Sequence, residues 1–182
     1  LTGDVKEYFM SQLDAIKKPY QADALMKSLL PSTQASVQDV STDSSGAPAI
    51  ITGTITNTMA VTEAGDRFYV DLNTYNAPFS DRIDAHERAT DYSFPFHARI
   101  VRESSLLLPE GASVTCLPDN FSVTDSQGSM SCTFAADGRT VKMTKILQLD
   151  DPVIAIDEID RWNKKTSDWN NSCNQQIEIT LK

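Results

Sequence analysis

The side chains best suited to nucleophilic or general-base chemistry in this 182-residue chain are few: Cys116, Cys132 and Cys173, with His86 and His97. A thiol nucleophile needs a base within hydrogen-bond reach. Cys116 and Cys132 occupy apolar parities of predicted strands, where cysteine is normally a small, inert core residue. His97 lies between Phe96 and Ala98 on the polar parity and is expected to face solvent. His86 falls in an irregular charged stretch. No Cys–His dyad is expected, and no residue is assigned a catalytic role.

A Cys116–Cys132 disulfide would close a loop of about 17 residues and contribute roughly 3 kcal/mol. The spacing suits a simple meander poorly, because a predicted strand at 121–125 lies between the two. Cys173 is then the odd residue, a half-buried thiol at a helix end. No C-x-x-C or H-x-x-x-H spacing points to zinc. The acids Asp150, Asp151, Asp157, Glu158 and Asp160 lack the alternating ligands and glycine of a calcium loop, and acids at a helix N-terminus complement its dipole. Carboxylates are plentiful, but the separation that would mark a glycosidase pair is not written in a sequence. There is no Gly-rich phosphate loop and no G-x-S-x-G. Asn120-Phe121-Ser122 and Asn170-Asn171-Ser172 fit the N-glycosylation pattern, which matters only in a eukaryotic secretory pathway. No metal and no cofactor are expected.

The elements that must position these groups follow from periodicity. Val5, Tyr8, Phe9, Leu13 and Ile16 recur at helical spacing behind Asp4, a candidate cap. Pro19 interrupts the pattern, and a second short helix is expected over 22–30, before Pro31. From residue 34 the period changes. Residues 43–48 read as a loop; Ile51, Ile55 and Met59 point one way in a Thr-rich strand. Phe68, Val70 and Leu72 alternate with polar neighbours, behind a turn at 63–66. Residues 73–91, with Pro78 and the charged stretch 81–88, are expected to form a long loop. Phe94, Phe96, Ala98 and Ile100 share a parity. Further strands lead through turns at Pro109-Glu110-Gly111, Leu117-Pro118-Asp119-Asn120 and 125–128. Met130, Cys132 and Phe134 precede Asp137-Gly138, a two-residue hairpin signal. Val141, Met143, Leu147 and Leu149 form the next strand, with Lys145 disturbing its apolar run.

Asp151-Pro152 predicts a helix start, so that a helix over about 152–171 carries Ile156, Ile159, Trp162, Thr166 and Trp169 on one face. That stripe is expected to bury both tryptophans, rather than offer them to sugar rings. Ile177, Ile179 and Leu181 form a final strand. The fold class is therefore mainly β (α+β): an antiparallel β-sandwich or partly open barrel, with N-terminal helices and one C-terminal helix packed on it. The predicted domains are a helical lead-in at 1–33 and a sandwich-like domain at 34–182.

Sixteen Lys and Arg stand against 25 Asp and Glu, for a net charge of −9 and a pI of about 4.6. At roughly 100–200 residues per domain, one domain or one with a small appendage is expected. The acidity argues against nucleic acid or an anionic membrane as the main partner. No stretch of 18 apolar residues exists, so no membrane span is expected in this segment. The chain opens on Leu1 rather than Met, and we read it as a segment of a longer polypeptide.

The second half carries Arg88, Phe94-Pro95-Phe96, Leu106-Leu107-Leu108-Pro109-Glu110-Gly111 and Leu117-Pro118-Asp119-Asn120. The hairpin at Asp137-Gly138, the Trp-bearing helix and Ile177-Glu178-Ile179-Thr180-Leu181-Lys182 follow. This series resembles the C-terminal region of Bacteroidetes-type proteins with a transglutaminase-like, papain-like core, in which an N-terminal β-sandwich domain of unknown function precedes the core and a β-rich domain follows it. The resemblance implies that the catalytic Cys, His and Asp lie in that core and not here. It also implies an exported protein, periplasmic or at the cell surface or secreted, and a non-catalytic accessory role. The partner is then the catalytic core domain of the same polypeptide, with peptide or glycan as further candidates. A sheet edge suits a peptide; an independent carbohydrate-binding module would use exposed rings such as Tyr69, Tyr75 or Tyr92.

Overall fold

The computed structural model describes residues 3–21, 24, 36–43, 50–56, 60–73, 81–86 and 88–181. The chain divides into two compact units, 1–60 with 74–76, and 61–73 with 77–182.

The first unit holds helix α1 (Gly3–Asp14) and the antiparallel pair β1 (Ser36–Asp43) and β2 (Ile50–Thr56). Asp4 stands inside the first turn of α1 rather than ahead of it. Leu13 is buried, as its spacing predicts, but Tyr8 is half exposed. The last carbonyls of a helix have no intrahelical donor. Here the Gln21 amide supplies one, donating to Leu13 O at 3.0 Å and Ile16 O at 3.1 Å. Most of the second helix expected at 22–30, residues 44–48 of the expected loop and Met59 lie outside the described residues; Asp43, expected to open that loop, ends β1.

The second unit is built on two open, four-stranded antiparallel sheets. The first runs in the order β6 (Ala98–Leu107), β10 (Thr140–Leu149), β9 (Gly128–Asp137), β8 (Phe121–Asp125). The second runs β3 (Val61–Ala64), β4 (Arg67–Val70), β12 (Ile177–Leu181), β7 (Ala112–Cys116). A short pair joins β5 (Tyr92–Ser93) to β11 (Val153–Ile154). The mainly β, antiparallel class read from the sequence is the one found, with short N-terminal helical segments and one C-terminal helix. The sheets stay open and do not close into a barrel.

The central ribbon is regular because its sequence alternates without interruption. Val141, Met143, Lys145, Leu147 and Leu149 all point inward from β10, and Met130, Cys132 and Phe134 do so from β9. The β9–β10 hairpin pairs Asp137 with Thr140, so its two loop residues are Gly138 and Arg139, one place beyond the expected pair. Gly138 has φ +56°, which suits the first loop position of a type II′ turn. Arg139 then donates twice to Leu108 O, from Nε at 3.0 Å and Nη2 at 2.7 Å, and so fixes the end of the Leu106-Leu107-Leu108 run.

The helix expected to begin near residue 152 begins at Ile159. Asp151 Oδ1 accepts the Val153 N–H at 2.9 Å, a turn of the kind short acidic side chains favour over helix. The β-branched pair Val153-Ile154 then forms β11, burying Ile154 completely. A single 3₁₀ turn (Ile156–Glu158) follows before helix α2 (Ile159–Cys173). Its buried face is Ile159, Trp162, Lys165, Thr166, Trp169, Ser172 and Cys173, at steps of three and four. Both tryptophans are enclosed, at 2% and 1% exposure. At roughly 25 cal/mol per Å2 and on the order of 200 Å2 each, each ring contributes up to about 5 kcal/mol.

Candidate functional site

Among the described residues, a cluster of buried reactive side chains lies beneath the C-terminal half of α2. In the first sheet, Arg102, Lys145, Cys132 and Phe121 form one cross-strand row through β6, β10, β9 and β8. Lys145 is 1% exposed and Cys132 is fully buried. Above them α2 places Trp169, Asn170 and, one turn after Trp169, the fully buried Cys173. The Trp169 indole N–H donates to Ser131 O at 2.9 Å and locks this register between helix and strand.

Lys145 can occupy a core position because its charge is met on several sides. Nζ lies 4.3 Å from the Trp169 ring centroid, a cation–π contact. It donates to Asn170 Oδ1 at 3.3 Å and approaches Asn73 Oδ1 at 3.5 Å. Asn73 Nδ2 in turn donates to Asn174 Oδ1 at 2.6 Å, just past the helix end. Burial pushes the Lys145 ammonium below the ordinary lysine value, opposed chiefly by Cys173. The Cys132 and Cys173 thiols shift one another: the neighbouring Cys173 raises Cys132, with burial acting in the same direction, and the neighbouring Cys132 lowers Cys173, against burial and helped by Lys145. Asp71, at the edge of the cluster, is raised by burial, against the bond it accepts from the Asn73 N–H at 2.7 Å.

These positions differ from those the sequence predicts. Lys145, a disturbance in the apolar run of its strand, holds a strict core position. Cys173, expected to be a half-buried odd thiol, is fully buried, as is Cys132. Cys116, expected on a core parity, is exposed. The cause is a register irregularity: Glu178 pairs with Cys116 while Ile179 pairs with Val114. Thr115 is the extra residue, and one inserted residue moves the next side chain to the other face. A Cys116–Cys132 disulfide is therefore not the pairing the fold prepares.

His97 is exposed, as its parity predicts, with Nδ1 2.6 Å from Asp150 O. His86 lines an open hollow of about 330 Å3 with Arg82, Asp84, Ala85 and Asp160. The wall of that hollow is fixed by Asn163 of α2, which accepts from Ile83 N at 2.9 Å and donates to Ile83 O at 2.8 Å. The acids around the start of α2 take separate partners. Asp150 accepts from Gln148, Glu158 from Gln127 and Arg161, and Asp160 faces Arg82. Among the described residues, no three His, Cys, Asp or Glu side chains stand together as metal ligands. Of the sequons, Asn120 Oδ1 accepts from Phe134 N at 2.7 Å, and Asn170 is committed to Lys145.

Comparison with known proteins bears on this same region. A family described as "Domain of Unknown Function with solved-structure structure (DUF3858)" matches residues 66–179. The chain belongs to this family. The DUF3858 match runs from the start of β4 to β12 and so contains the whole Lys145–Cys132–Cys173 cluster. No curated protein matches the chain. Among solved structures, the chain is similar to the crystal structure of "a putative protease" from Parabacteroides distasonis ATCC 8503, with TM-score 0.47 and 14% identity. The similarity covers 57% of this chain and 20% of that one, so the chain spans about a fifth of that protein's length.

Proposed function

We propose that the chain is a non-catalytic accessory domain of an exported, transglutaminase- or protease-like protein, periplasmic or at the cell surface or secreted. It packs on, or presents substrate to, a catalytic core elsewhere in the same polypeptide. The observation that supports this most is where the chemistry is spent. Three of the groups of shifted acidity, Lys145, Cys132 and Cys173, join α2 to the sheet at no more than 1% exposure. Cys116, His86 and His97 are exposed but sit on separate elements, with Cys116 Sγ directed at Leu117 O and His97 at Asp150 O.

The motifs behind the family resemblance are likewise turns and joints. Gly111 takes φ +82° at the Pro109-Glu110-Gly111 turn, where Ala112 N donates to Pro109 O at 3.2 Å. Phe94 packs on Trp162 at 5.4 Å between ring centroids. A surface for the core is offered by β6, where Val101 and Leu107 are 42% and 70% exposed on one face. In the described residues, β6 pairs only with β10, which leaves an edge that also suits an extended peptide. Glycan stacking finds less support, because both tryptophans are enclosed and Tyr69 and Tyr92 are half-buried. Tyr75 lies outside the described residues.

Hydrogen exchange tests the proposal. The 182-residue chain is compared with the longer polypeptide that carries the core. New protection along 98–107 in the longer protein is the expected result. Unchanged exchange over the whole of this segment would count against core packing.

A further inference from the structure

We propose that Cys132 and Cys173 form a redox pair that closes into a disulfide, tying the last turn of α2 to β9. Three independent placements carry this. The two residues are fully buried, Cys132 on the inward face of β9 and Cys173 on the buried face of α2, which packs against β9. The Trp169–Ser131 bond fixes the helix against the strand one residue before Cys132 and one turn before Cys173. Lys145 is the register partner of Cys132, and its ammonium lies over the Trp169 ring, one turn before Cys173, so a cation stands close to both cysteines. A cation at this position favours thiolate, the form that attacks a disulfide. Cys116, exposed on β7, is no competitor for either sulfur.

The chemistry balances with a disulfide-class oxidant, such as an exported dithiol oxidase or oxidised glutathione. The Cys173 thiolate attacks one sulfur of the donor, breaks its S–S bond and expels the first donor thiolate. Cys132 then gives up its proton and attacks the Cys173 sulfur. The mixed disulfide breaks, the Cys132–Cys173 bond forms, and the second donor thiol leaves. The protein loses two electrons and two protons, and the donor gains both. Cys173 is the last residue of α2. Fraying of that turn, or its late docking during folding, gives the donor access, and redocking brings Cys132 onto the mixed disulfide. The inference stands whether or not the accessory-domain reading holds.

The test is intact mass and peptide mapping of the 182-residue chain after equilibration with oxidised glutathione, with alkylation under denaturing conditions. The expected product is lighter by two hydrogens, joins the peptides carrying residues 132 and 173, and leaves Cys116 alkylated. Reduction restores the mass and lowers the thermal midpoint by roughly 10 °C, as expected for a closed loop of about 40 residues. C116S keeps that shift; C132S and C173S, where folded, lose it. Full alkylation of Cys132 and Cys173 in the oxidised, unreduced chain would overturn the proposal. So would a cross-link through Cys116, or one between Lys145 and either sulfur.

Discussion

Lys145 and Cys132 face each other across β10 and β9 as a register pair, and both are closed off by the same helix. A charged residue thus stands at an enclosed position of the sheet. Its aliphatic stem fills core volume while Trp169 and two asparagine carbonyls meet the ammonium. Replacing a buried charge by an apolar group of similar volume is often neutral or stabilising. K145M is therefore expected to change stability by less than about 1 kcal/mol, whereas K145A leaves a cavity and costs about 2–4 kcal/mol. Urea unfolding of both variants decides it. A large loss in K145M would show that the ammonium itself holds the helix.

Asp71 gives the cluster a pH signature. Burial raises its folded-state value above the ordinary one, so the folded chain retains a proton that the unfolded chain has lost just above pH ~4. The stability it contributes is fully present below the unfolded value and is lost as pH rises through the folded value. Asn at this position still accepts the Asn73 N–H and has no charge to bury. D71N is expected to gain stability relative to the native chain between about pH 4 and 7. Parallel urea midpoints across that range, with no divergence between the two proteins, would contradict this.

Two glycines with positive φ separate strain from collision. A Cβ on Gly138 meets nothing within 4 Å, so G138A carries only the backbone cost of φ +56°, about 1 kcal/mol. A Cβ on Gly128, at φ +131°, lies 2.1 Å from Gln148 O, a backbone atom of the neighbouring strand. G128A must displace β10 and is expected to cost more than about 3 kcal/mol. Thermal or urea unfolding should rank the pair in that order; equal losses would mean that the turn at 125–128 yields freely.

That same turn is anchored by Lys165, whose Nζ lies 2.6 Å from Asp125 Oδ1 with both side chains 5% exposed. Arg161 approaches Asp125 Oδ2 at 3.6 Å, and Asp125 Oδ1 also accepts the Gln127 N–H at 3.1 Å. Removing one partner leaves a buried charge uncompensated. D125A is expected to cost about 3–5 kcal/mol, and K165M in the D125A background should recover much of it. Strictly additive losses in the double-mutant cycle would show that the two residues act independently.

Much of this architecture is legible in the alternation of apolar residues, which locates β6, β9, β10 and β12, and in the tryptophan spacing, which gives the buried face of α2. The hairpin at Asp137-Gly138 is legible to within one residue. The buried cluster of Lys145, Cys132 and Cys173 is not, for specific reasons. A lysine on a core parity reads as a break until a helix from far along the chain brings Trp169 and Asn170 over it. Cys116 reads as buried because nothing local announces that Thr115 is an inserted residue. Asp151-Pro152 reads as a helix start because the competing turn to Val153 N and the pairing of Val153-Ile154 with Ser93 and Tyr92 depend on distant partners. Cys132 and Cys173 meet only because α2 returns across β8 and β9.

The central claim is that this domain supports chemistry performed elsewhere. Amide hydrolysis and transglutamination assays of the isolated, folded 182-residue chain test it most directly, alongside the longer polypeptide with its core. The expected result is no turnover above background from the chain alone, and activity in the longer protein that survives C116S and H86A. Turnover by the isolated chain that disappears in C116S or H86A would contradict it.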